Sequence, residues 1–519
     1  MICKHCGVTV EDPQRVKSSI SCSNSSPCKS CVEVENLENT IAILEMKQYE
    51  LKRDINRVHS PFIRLIPPEI IARISGFAIT NFTIIGSLPD SILLSSVCSD
   101  WRRAVVGTPE LWSSIKIDLP SISQTSEMAS SSTLPRLATF IDEWLSRSGQ
   151  LPLNISLCYP HDDYHHEDYY HHHETRYDSL TLQQYRPIFK ILDQCSSRWR
   201  SLNIFIPPAL LRFLQQPNCL PMLEQLQIAS SMKDPCHIIS FPRAPYLTTV
   251  EIQKFTNYKP SISPYIGIHW DTVTHLSIKS ISRDNLLATL LLNPQLVHCT
   301  FRKVASDEST VASDNPFLKS PIVSSLKYLS LHHNTDASQI LDCITLPYLE
   351  TLVFENITTN SDPVISFLER SACPLHTLSL LNSNDKKTDK FLPLLQFLSP
   401  TLTRLAISRK PSTIIGTKNY LSLLTRAYTS QFEAPLGDDF LPHLEFFIYR
   451  EESSSSTSES GTSMLSNLPL ASRDYTNLAT SIPLRSVYIS IASINDKDIP
   501  PGILLILQRL EEDGILTYN

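Results

Sequence analysis

Leu326-Lys327-Tyr328-Leu329-Ser330-Leu331-His332-His333-Asn334 is the stretch whose reading decides the fold. Its leucines stand at i, i+3 and i+5. The last two are separated by two residues, so on a strand both side chains face the same interior. The triplet recurs along the chain, usually shortly after a proline. The earlier copies are Trp199/Leu202/Ile204, Leu223/Leu226/Ile228, Leu247/Val250/Ile252, Val273/Leu276/Ile278 and Leu296/Cys299/Phe301. The later ones are Leu349/Leu352/Phe354, Leu375/Leu378/Leu380, Leu402/Leu405/Ile407, Leu444/Phe447/Tyr449 and Leu484/Val487/Ile489. Two runs further upstream, Trp112/Ile115/Ile117 and Leu153/Ile155/Leu157, read as strands of the same kind.

Helix-like stretches lie between the triplets: Asn285–Leu292, Asp336–Cys343, Asp362–Ser371, Lys390–Leu398 and Tyr420–Tyr428, with Asp336 and Asp362 placed to cap them. Most copies are about 23–30 residues apart. That period, with Asn334 completing one copy, resembles leucine-rich repeats. One strand and one helix cannot bury an apolar face alone, so the resemblance implies an α/β chain whose units stack into a curved solenoid over 199–519. The other reading is an irregular α/β fold in which proline merely punctuates strand starts. Strand positions such as Lys327, Tyr328, Ser330, Glu350, Thr351, His376 and Thr377 are expected to face outward on the concave side.

A second signal precedes the repeats. Leu65-Ile66-Pro67-Pro68-Glu69-Ile70-Ile71 is followed by Val97-Cys98-Ser99-Asp100-Trp101, then by Pro109-Glu110-Leu111-Trp112 and the strand-like Ile115-Lys116-Ile117. Pro68 suits a first helical position, where its missing N–H would be unpaired anyway. Ile70, Ile71, Ile74 and Phe77 make one apolar stripe, and Leu93, Leu94, Val97 and Trp101 another. Read without analogy, this is a small helical subdomain. In order and spacing it resembles the F-box, over 60–118. The resemblance implies a module that docks a substrate receptor on the Skp-type adaptor of a cullin ubiquitin ligase. It assigns adaptor contact to Leu65, Pro67, Pro68, Glu69, Ile70, Ile74, Val97, Trp101 and Trp112. Trp101 and Trp112 read equally as core aromatics, because one ring dominates so small a core. Thr80–Ser87 is longer and more apolar than the family pattern.

The layout of cysteine-bearing N-terminus, heptad helix, F-box and degenerate leucine-rich repeats resembles proteins abundant in mushroom-forming fungi. Over 33–59, Leu37, Ile41, Leu44, Gln48, Leu51, Ile55 and Val58 follow the four-three spacing of a coiled-coil seam. Two readings stand: a homodimer through this segment, or a lone amphipathic helix docked on the rest of the chain. In 1–32, Cys3-x-x-Cys6 and Cys28-x-x-Cys31 form two thiolate hooks able to wrap a structural zinc; a plain cysteine-bearing tail is the competing reading. The tract His161–His173 reads as a solvated loop, without the His-Glu-x-x-His helix of a metallohydrolase.

Composition narrows the function further. The net charge of −7 and the lack of a basic run give no footprint for nucleic acid or an anionic membrane. No apolar run is long enough to span a bilayer, so a cytoplasmic or nuclear location is expected. Eleven glycines in 519 residues leave no glycine-rich phosphate loop or nucleophile elbow. The eight cysteines from Cys98 to Cys373 are scattered singly and read as small hydrophobes in a reducing compartment. Residues 119–198 read as a linker with Ser-rich (Ser121–Thr133) and His-rich loops and the first repeat-like strands, and 451–463 as a Ser-rich loop. The resemblances together imply a non-catalytic substrate receptor of a ubiquitin ligase. The alternative is a repeat-built binding scaffold outside any ligase.

Overall fold

In a computed structural model of the protein, the last two residues of all eleven triplets lie in strands, and every triplet residue is at most 5% exposed. The structure describes residues 29–59, 66–79, 89–120, 127–159, 182–214, 220–229, 239–241, 244–253, 266–268, 270–305, 321–332, 337–355, 361–381, 391–409, 427, 440–451, 484–490 and 501–518. They divide into two units, Met1–Thr80 with Asp90–Leu111, and Asn81–Pro89 with Trp112–Asn519.

The second unit is mixed helix and strand around one parallel sheet of fourteen strands, ordered as in the chain. These are β1 (Ser114–Asp118), β2 (Leu153–Cys158), β3 (Trp199–Phe205), β4 (Gln225–Ala229), β5 (Thr249–Gln253), β6 (His275–Ile278) and β7 (His298–Phe301). They continue as β8 (Tyr328–His332), β9 (Thr351–Glu355), β10 (Thr377–Leu381), β11 (Arg404–Arg409), β12 (Phe446–Glu451), β13 (Ser486–Ser490) and β14 (Leu516–Tyr518). The register carries the pattern from strand to strand: Leu202 pairs with Leu226, Val250, Leu276 and Cys299 in turn, and Leu329 with Leu352, Leu378 and Leu405. A one-residue slip would turn each strand's apolar set to the opposite face, so the buried triplets pin the register. The carbonyls before each strand are also used. Lys327 and Tyr328 both donate their N–H to the Val297 carbonyl, and Glu350 and Thr351 both to that of Lys327.

Helices fill the returns between strands. In the first unit α1 spans Lys29–His59, α2 Pro68–Ala78, α3 Asp90–Ser95 and α4 Ser99–Val106. In the second, α5 spans Glu127–Arg147, α6 Arg186–Gln194, α7 Arg283–Leu292, α8 Ser361–Ser371, α9 Leu392–Phe397 and α10 Pro501–Glu512. The Ser282 hydroxyl caps α7 by accepting from the Asn285 N–H. Asp362 is not a cap: it lies within the first turn of α8, where a carboxylate still favours the helix dipole. Asp336 and nearly all of Tyr420–Tyr428 lie outside the described residues.

Within 119–198 the repeat-like run Leu153/Ile155/Leu157 forms β2, between β1 and β3 in the main sheet, and α5 and α6 pack together. One expectation is corrected here. Glu127–Thr133 are helical rather than looped, as the first turns of α5. Serine costs a helix only a few tenths of a kcal/mol, about 0.5 at most. The buried Leu134, Leu137, Ile141 and Trp144 that follow hold the helix down. The tracts 161–173 and 452–463 lie outside the described residues. Among the described residues no helix is long and apolar enough to cross a membrane.

The described single cysteines are all free thiols; Cys299 is buried, and Cys98, Cys158, Cys195, Cys343 and Cys373 are half-buried. Burial pushes the thiols of Cys158, Cys195, Cys299, Cys343 and Cys373 up from their ordinary value.

Candidate docking surface

The first unit turns apolar side chains to solvent in a pattern set by its proline pair. Pro67 holds extended backbone (φ −54°, ψ 143°) and Pro68 occupies the first turn of α2, as its fixed φ requires. The Pro67 carbonyl accepts from the N–H groups of Ile70 and Ile71 at 3.0 and 3.3 Å. Glu69 lies in the same turn, its carboxylate favoured by the helix dipole. Only Ile71 and Ser75 of α2 are buried. Ile70, Ile74 and Phe77 follow each other along the opposite side, and Phe77 is 83% exposed. The continuous stripe read from spacing therefore splits. One edge seals the unit and the other faces water.

α3 and α4 complete this small bundle. Ala104, Val105 and Leu111 are buried, while Leu93 and Val97 are exposed. The Gly107 N–H donates to the Arg103 carbonyl and ends α4. A Cβ on Gly107 would come within 2.9 Å of that carbonyl, which explains the glycine. Arg102 donates through Nε to the Ser95 carbonyl at 3.1 Å, tying α4 to the end of α3.

Of the nine residues expected to contact a partner, Pro67, Pro68, Glu69, Ile70, Ile74 and Val97 are exposed and Trp101 is half-buried, all in the first unit. Leu65 lies outside the described residues. Trp112 is corrected: it is fully buried in the second unit, edge-on to Trp144 with ring centroids 4.7 Å apart. The Arg147 guanidinium sits 4.6 Å above its ring. Its role is core packing, the reading its aromatic size also allowed. Sequence reasoning passed over Phe77 and Leu93 as contact residues, although both stripes contained them. Cys3, Cys6 and Cys28 lie outside the described residues, and Cys31 falls within α1.

The second unit offers another surface on the sheet face opposite the buried triplets. Its first row is aligned by register: Gln225, Thr249, His275, His298, Tyr328, Thr351, Thr377, Arg404 and Phe446. The rings of His275 and His298 stack at 4.4 Å, and those of His298 and Tyr328 at 5.4 Å. Arg404 lies 4.7 Å over the Phe446 ring. Glu224, Lys327 and Glu350 each stand one residue before a strand; Glu224 pairs with Arg200 at the start of β3, and Lys327 with Glu350, both at 2.9 Å. Burial, and next the neighbouring His275, push the His298 imidazole below its ordinary range. Burial raises the Tyr328 phenol.

Of the outward set, Lys327, Glu350 and His376 are exposed, and Tyr328, Thr351 and Thr377 half-buried. Ser330 is corrected. It is fully buried, sharing a 2.6 Å hydrogen bond with His332 Nε2. Val353, Ser379 and Ala406, aligned with Ser330 across β9–β11, are buried too. The accessible part of this face over β8–β11 is thus the row at the strand starts. Ser330, His332 and Glu355 form a hydroxyl–imidazole–carboxylate chain. A hydroxyl sealed from solvent cannot meet a substrate, so the chain reads as structural.

No family model matches the chain, and no curated protein matches it either.

Proposed function

We propose that this chain is the substrate-recognition subunit of a Skp–cullin–F-box type ubiquitin ligase. The first unit acts as the F-box, and the strand array as a degenerate leucine-rich-repeat solenoid that holds a protein substrate. The observation that carries this reading is the proline-led α2, whose Ile70, Ile74 and Phe77 stand in water on a bundle with little core of its own. Leaving several large apolar side chains exposed forgoes roughly 1.5–3 kcal/mol for each. A partner that buries them recovers it. An adaptor groove fits the chemistry: aliphatic side chains at its centre, with Pro67, Pro68 and Glu69 at one end.

On this reading the chain does no bond chemistry. It brings substrate lysines near the charged ubiquitin carrier, so rate comes from proximity. The substrate lies along the strand-start row, where stacked rings and paired charges offer flat, polar contact.

Replacing Pro68→Ala and Ile70→Asp together tests the proposal. A carboxylate at Ile70 would be stranded in an apolar interface. Adaptor and cullin are expected to co-purify with the native chain and to be lost with the double variant, while circular dichroism stays unchanged. Equal recovery with both chains would refute the assigned surface. Recovery with neither would leave the scaffold reading in its place.

A further inference from the structure

From α1 alone we infer that two copies of this protein associate through an antiparallel coiled coil centred between Gln48 and Leu51. The inference does not depend on the ligase reading. α1 is a helix of 31 residues whose described side chains are all exposed. Val34, Leu37, Ile41, Leu44, Leu51 and Ile55 each leave more than a third of their surface in water. Helices in water draw most of their stability from burying an apolar face. The face of α1 turned toward the cleft of its own unit carries Tyr49, Lys52 and Arg53, none of them a core position of this stripe. The seam is therefore open to a second chain.

The occupant follows from the pattern. Val34, Ile41 and Ile55 are β-branched at the first core position of the heptad, with Gln48 as its one polar member. Leu37, Leu44 and Leu51 fill the second core position. In parallel dimers, β-branched residues at the first core position with leucines at the second favour two strands, and a single polar residue at the first position specifies register. A partner with the same stripe is a second copy of this chain.

The flanking charges decide direction. In a parallel pair, Glu33 would face the second copy's Glu38 and Lys47 would face its Lys52, each contact occurring twice. In the antiparallel pair that sets Leu44 opposite the second copy's Ile55, Glu45 meets Lys52 and Lys47 meets Asp54, again twice each. Sliding this pair one heptad toward fuller overlap sets Glu38 on Lys52 but puts Glu45 on Glu45 and Lys47 on Lys47. The parallel and slid arrangements would cover Val34 and Leu37 as well, but each sets like charges face to face. Only the first antiparallel register makes all its close flanking pairs opposite in sign.

Lys47→Glu in the full chain, followed by sedimentation equilibrium, separates the arrangements, because Lys47 is exposed and the change leaves the seam intact. The proposed register predicts a dissociation constant raised about 3–10-fold, because the introduced carboxylate would face Asp54 of the second copy at two places. The double variant Lys47→Glu, Asp54→Lys should restore native affinity. Tighter association of the single variant would overturn the orientation in favour of a parallel pair. Unchanged affinity would point to the slid register and overturn the one proposed. A native chain that stays monomeric at tens of micromolar would overturn the dimer itself.

Discussion

His332 Nδ1 and Glu355 Oε2 are in contact across the directly paired ends of β8 and β9, with only 4% and 12% of the two side chains exposed. Ser330 completes the chain at His332 Nε2, so both ring nitrogens are engaged. Removing one partner of a buried polar contact leaves the other unsatisfied, whereas replacing both by apolar groups costs little. Glu355→Ala is therefore expected to lower unfolding stability by about 1–3 kcal/mol. Joint replacement His332→Leu, Glu355→Leu should recover most of that loss. Urea titration of the three chains measures both; equal stability of native protein and Glu355→Ala would contradict the pairing.

The buried triplets and the accessible row should respond very differently to truncation. Leu352 is fully buried between Leu329 and Leu378, so Leu352→Ala removes packed methyl groups and leaves a cavity. A loss of about 2–5 kcal/mol is expected. Lys327→Ala breaks only an exposed pair with Glu350 and should stay within about 1 kcal/mol of native. Chemical unfolding midpoints of the two variants test the contrast.

That contrast also marks what was legible in the sequence. Leu329 and Leu331 could be assigned to one interior face because strand side chains alternate with period two. Eleven such triplets then forced eleven strands. The outward face was harder to read, since alternation says which side Ser330 takes but not whether that side stays wet. Nothing local distinguished Ser330 from Thr351. The pairing of His332 with Glu355 joins residues 23 positions apart in sequence and needs the register before it can be seen. β2 was read as a strand, but α10 and β14 carry no triplet and were passed over. In the first unit the spacing located the stripe of α2, while its division into buried Ile71 and exposed Ile70 depends on where α4 and Leu111 lie.

Ser75 offers a way to stabilise the first unit without touching its outer face. Its hydroxyl is fully buried and has no hydrogen-bond partner among the described residues. Ser75→Ala removes an uncompensated desolvation and improves helix propensity. A gain of about 1 kcal/mol is expected, with partner binding unchanged, because Ser75 points away from Ile70 and Ile74. Thermal unfolding of the variant that shows a loss would mean the hydroxyl is bonded after all.

Cys299 ties the sheet core to alkaline pH. Its thiol is fully buried and pushed up by desolvation, so it stays neutral in the fold while an unfolded thiol ionises near about 8.5. A raised folded-state value gives stability that is complete below that pH and is lost as pH rises above it. Stability measured from pH 8 to 10 should therefore fall, and fall less steeply in Cys299→Val, which keeps the volume without the ionisable group. Thiol reagents should reach Cys343 in the native protein but Cys299 only on unfolding.

On the acid side the corresponding group is His298. Its imidazole lies between the rings of His275 and Tyr328, with Glu350 adding attraction and Lys327 a smaller repulsion. Burial and His275 together depress its folded-state value below the ordinary 6.5 or so. For a base, depression means the fold prefers the neutral ring. The stability it contributes is present above the unfolded value and is lost as pH drops through the depressed one. The melting temperature should accordingly decline from pH 7 toward pH 5. His298→Gln keeps a flat polar group in the stack but cannot take up the proton, so its decline over the same window should be shallower. Parallel curves for the two proteins would show that the stacked imidazoles do not set the acid limit of the sheet.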